Sequence, residues 1–108
     1  MSDYRVCLIT FPELEKAREF ARALVERRLV ACVNIVPRIE SFYWWKGEIQ
    51  QDGEVLLVLK TVVDRLEEFV ATAQELHPYE VPEVLCLEVE RGNQSYLDWL
   101  TDSTRPAV

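Results

Sequence analysis

Histidine is nearly absent: one residue, His77, in 108. Within one chain this excludes metal sites built from several imidazoles and any catalytic arrangement needing two histidine bases. Glycine is scarce, with three residues, so there is no Gly-rich loop to cradle a phosphate. The three cysteines, Cys7, Cys32 and Cys86, are odd in number and widely spaced, which gives no disulfide framework and no C-x-x-C site. Each falls in an apolar stretch and is expected as a buried, reduced thiol. Cations are outnumbered, 12 to 19, leaving a net charge of −7. That balance repels nucleic acid and anionic lipid. No apolar run reaches membrane-spanning length, and Met1-Ser2-Asp3-Tyr4-Arg5 has no basic stretch leading into an apolar one. A cytoplasmic chain without nucleic-acid or membrane partners is the expectation.

What is present suits one globular domain, residues 1–108, with 49% hydrophobic and 29% charged residues. Arg5 to Phe11 reads as a buried strand closed by Pro12, which opens a helix over Glu13 to Arg28 with an apolar stripe at Leu14, Ala17, Ala21, Leu24 and Val25. Leu29 to Trp45 and Glu48 to Val63 read as long strands joined by the turn Lys46-Gly47. Pro37 marks an edge or a bulge in the first, and Gln51-Asp52-Gly53 a bend in the second. Asp64 suits the cap of a second helix with Leu66, Phe69, Val70, Ala73, Leu76 and His77 on one face. Val84 to Glu90 alternates as a strand. Tyr96, Leu97, Trp99 and Leu100 suggest a short last helix, and the tail from Ser103 should fray. The order β-α-β-β-α-β plus a helix is that of an α+β, ferredoxin-like fold, two helices on one face of a four-stranded antiparallel sheet.

Two features point to function. The central hairpin is too long: its strands run about three times the usual ~5–6 residues. Its tip is aromatic on both faces, with Phe42 and Trp44 on one and Tyr43 and Trp45 on the other. Burial against other subunits resolves that exposure. The second feature is His77-Pro78-Tyr79-Glu80-Val81-Pro82-Glu83, where two prolines fix the backbone around the lone imidazole. His77 continues the apolar face of its helix and should point inward or toward a junction. His77, Tyr79, Glu83 and Lys60 are the candidate ligand or metal site, expected to converge on one cleft near a subunit boundary. His77 and Glu83 are the candidate metal ligands, with Lys60 paired to Glu83. Glu54 has the same ambiguity as Lys60. A single imidazole with carboxylates suits zinc or manganese rather than copper(I). No metal is required for folding. No nucleophile lies beside a base, so no enzyme is expected.

Leu29-Val30-Ala31-Cys32-Val33-Asn34-Ile35-Val36-Pro37 resembles the A-C-V-N-I-x-P signature of the CutA divalent-cation tolerance proteins. Ser41-Phe42-Tyr43-Trp44-Trp45-Lys46-Gly47, Lys60-Thr61, His77-Pro78-Tyr79, Pro82-Glu83 and the ending Gly92, Tyr96, Leu97, Trp99 are similar to that family too. The resemblance spans about Arg5 to Leu100. It implies a ferredoxin-like subunit of a homotrimer, similar in architecture to PII signalling proteins, with a role in tolerance to copper and other divalent metals. A small anionic ligand in the intersubunit clefts is the alternative that the same architecture implies. The family's proposed copper ligands, one cysteine and two adjacent histidines, correspond here to Ile9, Leu76 and His77, so one ligand of three is kept.

Overall fold

A computed structural model describes residues 2–106. Its elements are β1 (Tyr4–Phe11), α1 (Leu14–Glu26), β2 (Cys32–Trp45), β3 (Glu48–Val62), a 3₁₀ turn (Val63–Arg65), α2 (Leu66–Leu76), β4 (Val84–Glu88) and α3 (Gln94–Ser103). The sheet order is β2-β3-β1-β4 with every neighbouring pair antiparallel, the ferredoxin-like arrangement. One face is the core. Cys7, Ile9 and Phe11 of β1 and Val55, Leu57 and Leu59 of β3 pack with Ala17, Phe20 and Leu24 of α1 and Phe69 and Ala73 of α2. Period-2 alternation sends Val6 and Leu8 to the opposite face, with Leu85 and Leu87 opposite them, both more than half exposed.

The helix α1 ends two residues before the expected Arg28. Arg28 takes a left-handed φ of 56°, and the N–H of Leu29 donates back to the Leu24 carbonyl at 3.0 Å. The guanidinium of Arg65 donates to the carbonyls of Arg27 and Arg28 at 3.3 and 3.2 Å, placing a cation at the negative helix end. Asp64 does not cap α2; it sits inside the 3₁₀ turn, and no side chain caps that helix. α3 is capped by Asn93, whose side chain accepts from the Tyr96 N–H at 3.1 Å. The tail does not fray at Ser103, because Thr104 is buried and its hydroxyl donates to Leu100 O at 2.9 Å. Residues 107 and 108 of that tail lie outside the described residues.

The hairpin is nearly as long as its sequence suggests, with β2 beginning at Cys32 rather than Leu29 and β3 ending at Val62 rather than Val63. β1 stops opposite Val55, while β2 and β3 remain paired out to Trp45 and Glu48. Lys46 and Gly47 have φ of 50° and 79°, the two positive values of a type I′ turn, which matches strand twist. The bulge lies at Pro37-Arg38, between the pairs Val36–Leu56 and Ile39–Glu54, in the edge strand where proline costs no ladder bond. Gln51, Asp52 and Gly53 pair regularly with Phe42, Ser41 and Glu40, so the expected bend is not there. Of the cysteines only Cys7 is buried; Cys32 is half-buried and Cys86 is exposed, since both lie on edge strands.

Candidate functional site

The loop after α2 returns to the sheet just where β1 ends. His77 is the first residue beyond α2 and is 7% exposed. Its ring packs on Phe11 at 4.3 Å and on Tyr79 at 5.0 Å between centroids. Nε2 lies 2.7 Å from the carbonyl oxygen of Thr10, which can only accept, so Nε2 carries the proton. Nδ1 accepts from the Tyr79 N–H at 3.0 Å. Burial holds the imidazole pKa below its ordinary value, against the opposing pull of the Thr10 carbonyl and the Glu54 charge. The neutral ring with its proton on Nε2 is thus a clamp, tying the loop to the end of β1.

That clamp aims Tyr79. Its hydroxyl donates to Glu54 at 3.0 Å, and Glu54 is itself 9% exposed. Burial first, and then the Glu54 bond, push the phenol well above its ordinary pKa. Beyond them opens a cleft of about 670 Å³ between the loop and the projecting hairpin. Its lining residues include the acidic Glu40, Glu54, Glu80 and Glu83 and the aromatic Phe42, Tyr43, Trp45 and Tyr79. No lysine or arginine lines it. The Tyr43 hydroxyl donates to Asp52, which together with burial raises that phenol's pKa.

Of the four residues expected together, Tyr79 and Glu83 line the cleft and His77 supports it from behind. Lys60 does not belong. It lies opposite Val6, four register steps from the Thr10 end, about 13 Å along the strand. It is hydrogen-bonded to Asn34 instead, and no Lys60–Glu83 ion pair forms. His77 is not poised as a ligand, because a metal would have to displace one of its two hydrogen bonds. Ile9 is fully buried and Leu76 faces outward, so with His77 they form no donor set. Among the described residues no three His, Cys, Asp or Glu side chains are placed to close on one ion. Glu80 belongs to the proline-fixed segment that the sequence marks, and Glu54 shows as a charge at the head of an apolar strand segment, whereas Glu40 and the anchoring carbonyl of Thr10 carry no signal in the sequence.

The sequence pattern of the CutA1 divalent ion tolerance protein family matches residues 5–103. The chain belongs to the CutA1 divalent ion tolerance family. It is 50% identical over 99 residues to the divalent-cation tolerance protein CutA of Thermus thermophilus, covering 92% of this chain and 96% of that one. It is also 50% identical over 99 residues to the mouse protein CutA, where 89% of this chain spans about half, 54%, of the mouse protein. The CutA1 structure from Oryza sativa superposes with a TM-score of 0.93 at 42% identity, covering 98% of this chain and 97% of that one. The Thermus thermophilus CutA1 structure gives 0.91 at 48% identity, covering 94% and 99%. The CutA1 fold therefore extends over the whole hairpin and the loop that together wall the cleft.

Proposed function

We propose that this chain serves divalent-cation tolerance as a homotrimer and binds divalent cations weakly in the cleft between the His77–Glu83 loop and the hairpin. The observation that carries this reading is four glutamates around one cleft with no cation among its lining residues. A cleft lined by charge of one sign draws ions of the other. Oxygen donors favour hard or borderline ions such as manganese or zinc over copper(I). Because no three donors close on one point, the ion would keep most of its water and bind weakly. The same four charges disfavour a small anion in this cleft. A binding role, rather than catalysis, is the reading supported by a lone histidine whose two nitrogens are occupied.

Assembly has its own support. Val36, Leu85 and Leu87 leave apolar surface open on the sheet face away from α1 and α2, and the hairpin tip projects beyond the core with Phe42 64% and Trp44 71% exposed. Three copies joined through these surfaces would cover them. Three free thiols favour a reducing compartment, and we place the protein in the cytoplasm. The test of the site is calorimetric titration of manganese and zinc into the wild type and into Glu54→Gln and Glu83→Gln. Weak binding lost in the variants supports the cleft; unchanged binding in both places the ions elsewhere.

A further inference from the structure

The ladder between β1 and β4 sets Cys7 directly opposite Cys86. Two bonds fix the phase of that ladder. The Val89 N–H donates to the Tyr4 carbonyl at 3.1 Å, which makes Tyr4–Val89 a hydrogen-bonded pair. On the other side of β1 the Val63 N–H donates to Asp3 O at 2.7 Å. Pairs alternate along an antiparallel ladder. Counting from Tyr4–Val89, Arg5–Glu88 is non-hydrogen-bonded, Val6–Leu87 is hydrogen-bonded, and Cys7–Cys86 is non-hydrogen-bonded. Counting from Asp3–Val63 agrees, since it turns the backbone groups of Cys7 toward Leu59 of β3 and away from β4. In a non-hydrogen-bonded pair the Cα atoms stand about 4.5 Å apart and the side chains are closest. A disulfide accepts Cα separations of roughly 4.4–6.8 Å. Both thiols leave on the same face of the sheet.

We propose that Cys7 and Cys86 form a redox site, a cross-strand dithiol that a low-molecular-weight disulfide converts to an intramolecular disulfide bond. The two positions divide the work. Cys86 is exposed on the edge strand and meets the small disulfide first, while Cys7 is 0% exposed. Burial, and then the adjacent Cys86 thiol, hold the Cys7 thiol above its ordinary pKa, so Cys7 reacts second and only with a partner already beside it. The Cys86 thiolate attacks one sulfur of R–S–S–R, forming a mixed disulfide and releasing one thiolate. The released thiolate takes the Cys7 proton, and the Cys7 sulfur attacks Cys86 Sγ, expelling the second thiolate, which picks up the proton lost by Cys86. One small disulfide becomes two thiols, and two protein thiols become one disulfide. β4 follows the cleft loop immediately, beginning at Val84, so closure fastens the loop's far end to β1. Cys32 is excluded, because it lies on β2, opposite Lys60, with β3 and β1 between it and Cys86.

The test uses oxidised glutathione on the full chain at mildly alkaline pH, followed by acid quenching, alkylation and peptide mapping without reduction. Wild type and Cys32→Ser should each lose the mass of two hydrogens and yield one cross-link joining the Cys7 and Cys86 peptides, reversed by a dithiol reductant. Cys7→Ser should stop as a glutathione adduct on Cys86. Both proteins that retain the pair keep their core side chains, so a failure there is not a folding failure. Wild type that stops at the adduct, reacts at Cys32, or leaves both thiols free under conditions that oxidise a model dithiol overturns the proposal.

Discussion

Replacing His77 by phenylalanine separates its clamp from its packing. The ring would still lie against Phe11 and Tyr79, but the Thr10 carbonyl and the Tyr79 N–H would lose their partners. A buried polar group left unpaired costs about 1–3 kcal/mol. The Tyr79 amide is near the surface and recovers part of its loss from water, so the expected total is about 2–4 kcal/mol. At about 4 °C per kcal/mol for a domain near this size, Tm falls by roughly 8–16 °C at fixed protein concentration. A second signature is specific to the imidazole. Its folded pKa is depressed by burial, while the unfolded ring titrates near ~6.5. Between those two values the unfolded state holds a proton that the native state refuses. The stabilisation is therefore complete above about pH 6.5 and is lost as pH falls toward the folded pKa, at no more than about 1.4 kcal/mol per pH unit. Because His77 is the only histidine, denaturant unfolding followed from pH ~7 down to ~5 reads one group. His77→Phe should be less stable at pH ~7 and should lack that slope. A variant as stable as wild type, or one keeping the same slope, refutes the clamp.

Trp44→Asp and Trp45→Asp should weaken assembly, since each places an unpartnered charge where the proposed trimer is buried; sedimentation velocity checks this, and two unchanged species of trimer mass would take the tip out of the seam. Gly47→Ala should cost about 1–2 kcal/mol by denaturant titration, because φ is 79° there and the added Cβ meets nothing within 4 Å, leaving left-handed backbone strain as the whole effect. No loss of stability would mean that Lys46-Gly47 does not hold the type I′ geometry in solution.

The architecture was readable because local signals and tertiary demand agree. Pro12, the period-3.6 stripe of α1, the Lys46-Gly47 turn and the alternating strands all specify the same element order, and Pro37, which marks an edge or a bulge, sits at both. By residue type Asp64 suits a cap and Gly53 a bulge, yet the 3₁₀ turn places Asp64 one residue before the α2 N-cap position and Gly53 pairs regularly with Glu40. Arg65 does the capping work across space, on α1 rather than on α2. Cys86 has apolar neighbours in sequence, but β4 is an edge strand and only its inner partner Cys7 is covered.

The site was half readable for a related reason. His77-Pro78-Tyr79 and Glu83 are close in sequence, so local stiffness could mark them together. Lys60 interrupts an apolar run and offers a charge opposite to Glu83, but the ladder pairs it with Val6, far from the Thr10 end of β1. β2 gains one residue at Pro37-Arg38, which keeps Val36 and Ile39 on the same side although three positions separate them. The bulge therefore does more than accommodate a proline. It resets which residues of the projecting hairpin share a face with Glu54, and so puts Tyr43 and Trp45 rather than Phe42 and Trp44 on that side. The hairpin's length, its bulge and the His77 clamp act together: the length carries β2 and β3 past the end of β1, the bulge sets Tyr43 and Trp45 on the Glu54 face, and the clamp brings Tyr79 to Glu54.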